Sequence, residues 1–76
     1  MTYKIYCNQR SIYFADGAEF ETLAGCLGQL RDYHSYDCDE DSLAEQSLAD
    51  ICNGFEWSIH DKKGDEVDYE VLEAIK

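Results

Sequence analysis

The sequence predicts an α+β fold: a small antiparallel sheet in the element order ββααββ, with two helices packed on one face. Three observations carry this expectation. Alternating apolar residues mark short extended segments near both ends of the chain. Two central stretches repeat apolar residues at helical spacing. A chain of 76 residues that is 45% hydrophobic and 13% aromatic, with no proline, can fold around one core, so residues 1–76 are expected to form a single domain.

The elements follow in order. Tyr3, Ile5 and Cys7 alternate with Lys4 and Tyr6, as in a half-buried strand over residues 2–7. Residues 8–10 read as a turn, and residues 11–15 as a second strand with Ile12 and Phe14 on one face. Asp16 and Glu19 have the spacing of a capping box, which predicts a helix beginning there. Phe20, Leu23, Ala24, Leu27, Leu30 and Arg31 then follow the helical period. Gly25 and Gly28 weaken this helix and would allow close approach to another element. Residues 32–41 form the connection. A second helix is expected to start at Asp39 or Asp41, with Ser42 and Glu45 as a further possible box. Its inner face would be Leu43, Ala44, Ser47, Leu48, Ile51 and Cys52, and Asn53-Gly54 would stop it. Phe55, Trp57 and Ile59 alternate along a third strand. Residues 62–65 read as a hairpin turn with Gly64 in the left-handed position. Val67, Tyr69 and Val71 alternate along a fourth strand, which residues 72–76 either extend or follow with a terminal helical turn.

The distribution of charge is the most informative feature for function. Six Lys plus Arg face 17 Asp plus Glu, for a net charge of -11. Such a balance argues against gripping nucleic acid through its phosphates or docking on an anionic membrane. No apolar run is long enough to span a bilayer. No Lys or Arg occurs between Arg31 and Lys62, an interval holding Asp32, Asp37, Asp39, Glu40, Asp41, Glu45, Asp50, Glu56 and Asp61. A second acidic cluster comprises Asp65, Glu66, Asp68, Glu70 and Glu73. Helix capping accounts for some of these acids but not for the lack of compensating bases. Duplex DNA carries one charge per ~1.7 Å, so about nine carboxylates match roughly 15 Å of duplex. A protein surface built to hold nucleic acid would attract such a face. Tyr33 and Tyr36 flank His34 in the same segment and are suited to anchor an interface, although one of them could instead pack beneath the connection.

Chemical motifs are weak by comparison. Asp37, Asp39 and Asp41 begin like a calcium loop, but Ser42 and Leu48 stand where that loop needs Gly and Glu. His34, Cys38 and His60 lack zinc-ligand spacing. Cys7, Cys26 and Cys52 fall on apolar periods and read as small core residues. Cys38 lies among carboxylates that oppose a thiolate, which makes it a poor nucleophile. No nucleophile–base pattern and no phosphate-binding glycine motif is present, so no enzyme, cofactor or metal is expected. Residues 1–10 show no signal-peptide pattern, so reduced thiols in a cytoplasm are expected.

In size, acidity and α+β organisation, over the whole chain, the sequence resembles the small inhibitors that phages encode against host defences. Anti-CRISPR proteins and antirestriction DNA mimics are the best-known groups. The resemblance implies a protein of the host bacterial cytoplasm that binds a CRISPR effector or another nucleic-acid enzyme and blocks its groove. It assigns no residue roles. From the charge clustering itself, the expected contact residues are Asp32, Tyr33, Tyr36, Asp37, Asp39, Glu40, Asp41 and Glu45. The expected partner is a nucleic-acid-binding protein or complex, with no direct nucleic-acid or membrane contact. The alternative is a structural or regulatory module that forms a homodimer through a sheet edge or apolar face, its acidity serving solubility.

Overall fold

In the computed structural model, which describes residues 2–76 apart from the side chain of Glu40, the first strand lies at the centre of the sheet. β1 (Tyr3–Cys7) pairs antiparallel with β2 (Ile12–Tyr13) on one side and with β3 (Trp57–Asp61) on the other. The register sets Ile5 opposite Ile59 and Cys7 opposite Trp57. Cross-strand partners share a face. One face therefore carries Tyr3, Ile5, Cys7, Ile59 and Trp57, and the other carries Lys4, Tyr6, Tyr13, Ser58 and His60. On this second face Tyr6 stacks on His60 at 5.0 Å, and the Tyr13 hydroxyl lies 2.9 Å from His60 Nδ1.

The chain is α+β, with this three-stranded sheet and four helices among the described residues. The helices are α1 (Leu23–His34), α2 (Glu40–Glu45), α3 (Leu48–Phe55) and α4 (Tyr69–Glu73), and a 3-10 turn occupies Phe14–Asp16. Ile5 and Ile59 meet Cys26, Leu27 and Leu30 of α1, Leu48, Ala49, Ile51 and Cys52 of α3, and Leu72 of α4 in one buried cluster. Each large side chain buried there contributes about 1.5–3 kcal/mol through loss of apolar surface to water. Cys7, Cys26 and Cys52 are buried, as their apolar periods indicated.

The order ββααββ is corrected at three places. The first is the start of α1. Ala15, Asp16 and Gly17 all have positive φ, which turns the chain back instead of starting a helix, so Asp16 and Glu19 form no capping box. Phe20 is extended and exchanges two 2.8 Å backbone hydrogen bonds with Tyr3. The cap is Thr22, whose hydroxyl accepts from the Gly25 N–H at 3.0 Å. Gly28 is exposed, and a Cβ there would meet none of the described residues within 4 Å, so it serves no close approach.

The second correction splits the expected long helix in two. Asp39 does cap α2, accepting from the Asp41 N–H at 3.2 Å. The chain then leaves helical geometry at Gln46, and Ser47 starts α3 with a reciprocal box: its hydroxyl accepts from Asp50 N–H, and the Asp50 carboxylate accepts from Ser47 N–H, both at 3.2 Å. A serine followed three residues later by an acid is a cap signature, here at 47–50 and not at 42–45. The stop also moves: α3 continues through Asn53-Gly54, and Glu56 adopts the left-handed conformation at φ 60°.

The third correction concerns the last strand. Gly64 takes the left-handed position in the turn at φ +90°, Glu66 bridges His60, and Val67 N–H donates to Ile59 carbonyl at 2.8 Å. Pairing ends there. Asp68 carbonyl accepts from Val71 and Leu72 N–H, which opens α4. The helical turn directs Leu72 into the core and leaves Tyr69 and Val71 exposed. Ile75 carbonyl then accepts from Leu48 N–H at 2.8 Å, satisfying a free donor at the start of α3.

Candidate functional site

The acidic connection is held in place by a base at the end of α1. Arg31, on the last turn of α1, directs its guanidinium at the C-terminal end of α2. Nε donates to Leu43 carbonyl at 3.1 Å, and one Nη donates to the carbonyls of Ala44 and Gln46 at 3.2 and 2.9 Å. A six-residue helix leaves most of its carbonyls without internal partners, and this fork reaches two of the helix's carbonyls together with that of the C-cap, Gln46. Buried Leu43 completes the attachment of α2. Among the described residues, Arg31 is thus occupied with backbone oxygens.

Asp32, Asp37, Asp39, Asp41 and Glu45 are all exposed, and the side chain of Glu40 lies outside the described residues. Of these acids, Asp39 also caps α2. The wider interval divides by role. Asp50 is committed to its capping box, and the Asp61 carboxylate accepts from Lys63 and Asp65 N–H in the turn after β3. Glu56 joins Glu66 and Asp68 in the wall of a cleft of about 630 Å³ beside α3, β3 and α4, which brings together acids from both sequence clusters.

The two tyrosines separate. Tyr36 is 92% exposed. Tyr33 is 44% exposed and sits edge-to-face with Phe14, His34 and Trp57, at centroid distances of 5.3, 5.0 and 5.8 Å. These rings line a groove of about 470 Å³ where the β2 end of the sheet meets the C-terminal ends of α1 and α3. Asp37 and Arg10 also belong to its wall. Phe14, His34 and Trp57 were not among the residues expected at a site. The spacing of His34 from Leu27 and Leu30 carried the signal that it faces inward.

His34 is buried, stacked on Phe55 at 3.7 Å, and accepts a 2.9 Å hydrogen bond at Nε2 from Trp57 Nε1. An indole N–H only donates, so Nε2 carries no proton and the neutral ring holds its hydrogen on Nδ1. That nitrogen has no hydrogen-bond partner among the described residues. Burial lowers the His34 pKa below 6.5, partly opposed by the Asp37 carboxylate. The unfolded chain therefore takes up a proton more readily than the folded one. This contribution to stability is full above pH 6.5 and is lost as pH falls through the folded pKa. An NMR titration of the ring is expected to show the Nδ1–H tautomer at pH 7 and a midpoint below 6.5. A midpoint at or above 6.5 would contradict the buried, indole-bound ring.

Burial pushes the Cys26 thiol up to about 11 and the Cys52 thiol up to about 12, the latter aided by Cys26 and Glu66. Both are protonated at neutral pH and poorly nucleophilic. All four cysteines are free. Among the described residues, no group of three or more His, Cys, Asp or Glu side chains is placed to hold a metal ion. No helix among them is long and apolar enough to cross a membrane. Compared with protein-family models, curated proteins and solved structures, the chain matches none.

Proposed function

We propose that this protein is a non-enzymatic inhibitor that presents the acidic segment from Asp32 to Glu45 to a basic groove on a nucleic-acid-binding protein and blocks nucleic-acid access. The observation that carries the reading is the combination at α2. Exposed carboxylates lie in a segment whose placement is fixed by Arg31, while that base is turned away to carbonyl oxygens. Fixed, uncompensated charge attracts a basic surface over a distance and loses little entropy on docking. The molecule measures 33 × 25 × 19 Å, large enough to carry the segment's six carboxylates, a charge row equivalent to roughly 10 Å of duplex. Tyr36, almost fully exposed in the same segment, supplies aromatic area for the contact. On this reading the partner is a CRISPR effector or another nucleic-acid enzyme of a bacterial cytoplasm.

The test is capture from bacterial lysate on immobilised protein, followed by elution with graded salt or with competing DNA or RNA. A nucleic-acid-binding complex released by both is the expected result. Retention that ignores salt and nucleic acid, or self-association alone, would overturn the acidic-face reading in favour of an apolar interface.

A further inference from the structure

We propose that the aromatic groove between β2 and the ends of α1 and α3 is a seat for a cationic side chain, an arginine or lysine, of a basic partner protein. The proposal deepens the function above and rests on it for the partner, but the seat is testable without that partner. Its geometry comes from three rings. Phe14 and Tyr33 are inclined at 88°, Phe14 and Trp57 at 87°, and Tyr33 and Trp57 at 90°, with centroids 5.3, 5.7 and 5.8 Å apart. Three rings with mutually perpendicular planes at these separations have the proportions of the corner of a box, and all three line the groove. Aromatic faces carry the negative end of the ring quadrupole, and such corners attract cations that have shed part of their water. Among the described residues, the chain's own cation–ring contact is Lys4 over Tyr13 at 5.4 Å, outside this trio.

The net charge of the chain favours the same occupant, while the wall itself holds one carboxylate and one base. Asp37 lines the groove and also belongs to the acidic connection, so a cation drawn to that segment meets a carboxylate beside the rings. His34 adds an uncharged ring, because the Trp57 hydrogen bond and burial hold it neutral. Arg10 is the base in the wall, exposed on the β1–β2 turn. Water and salt screen it and the exposed Asp37 alike, so the two offset each other in the wall, and each supplies a test of sign. The net charge of -11 sets the partner's character, because a chain so acidic meets basic surfaces more readily than acidic ones.

The experiment is an NMR titration of the full chain with Nα-acetyl-arginine amide and, separately, with the uncharged isostere Nα-acetyl-citrulline amide. The arginine probe is expected to shift the Trp57 indole N–H and the Tyr33 and Asp37 amides saturably, with the citrulline probe at least about fivefold weaker. Tyr33→Leu keeps apolar bulk and removes a ring face, and should weaken the arginine probe about fivefold. Asp37→Asn leaves the rings in place and should weaken it about twofold, while Arg10→Ala should tighten it about twofold. Equal binding of both probes, weakening by Arg10→Ala, no saturable shift at Trp57, or shifts confined to residues 39–45 would each overturn the seat. None of those outcomes bears on capture of a nucleic-acid-binding complex by the acidic segment. Conversely, a working seat with no such partner would overturn the inhibitor reading alone.

Discussion

A variant with Asp32, Asp37, Asp41 and Glu45 all replaced by lysine is expected to fold and to lose its partner. Each reversal adds two charges, so the net charge moves from -11 to -3. All four side chains are exposed, and none accepts a hydrogen bond among the described residues. Asp39 is left in place because its carboxylate caps α2. Lysine at 41 opposes the α2 dipole and lysine at 45 favours it, each by about 0.5 kcal/mol, so these effects nearly cancel. Relief of self-repulsion among the remaining acids favours the compact state. Binding responds differently, because four attractions become four repulsions. Affinity should fall about a thousandfold at low ionic strength, and the salt dependence should reverse in sign. Circular dichroism and calorimetry on the partner would check both halves. Full affinity in a folded variant would remove the acidic segment from the interface.

The parts of the fold that were readable in the sequence are those where local pattern and tertiary demand agree. Tyr3, Ile5 and Cys7 alternate over a strand buried on one face, and Asp39 and Gly64 each have one conformation that suits their chemistry. Asp16 misled because a capping spacing competes with backbone geometry, and three positive φ angles in a row prevail over it. Val67 to Val71 misled because three alternating residues are too few to separate a strand from the entry to a short helix. Leu72 decides the matter by reaching the core, a tertiary fact with no local signature.

The candidate site divides in the same way. Its charge could be counted directly, since a run of acids with no Lys or Arg between residues 31 and 62 is read from the sequence alone. Its architecture could not. Phe14, Tyr33 and Trp57 come from three separate elements, and only the packing of α1 against the sheet end brings them together. Arg31 falls on the helical period of the apolar residues of α1. Its actual partners, two backbone carbonyls of a different helix and one of that helix's cap residue, have no side-chain identity that a sequence pattern could reveal.

Arg31 also separates placement from bulk charge. Arg31→Ala removes three hydrogen bonds from one charged donor and is expected to cost about 2–3 kcal/mol. The loss should be local. α2 is six residues long, keeps few internal hydrogen bonds and is otherwise fastened chiefly by Leu43. Hydrogen exchange at residues 40–45 should therefore rise well before the core around Leu30 and Ile51 responds. Lysine should rescue little, because a compact ammonium cannot span three carbonyls as the planar fork does. Loss of one cation takes the net charge from -11 to -12. If attraction to the partner depended on total charge alone, Arg31→Ala would bind more tightly. If it depends on where α2 holds Asp39, Asp41 and Glu45, the variant binds more weakly, by about tenfold for the entropy of ordering a released segment. A titration of Arg31→Ala beside the parent chain decides between the two by the sign of the change. Unchanged exchange at residues 40–45 would show that Arg31 does not hold the segment.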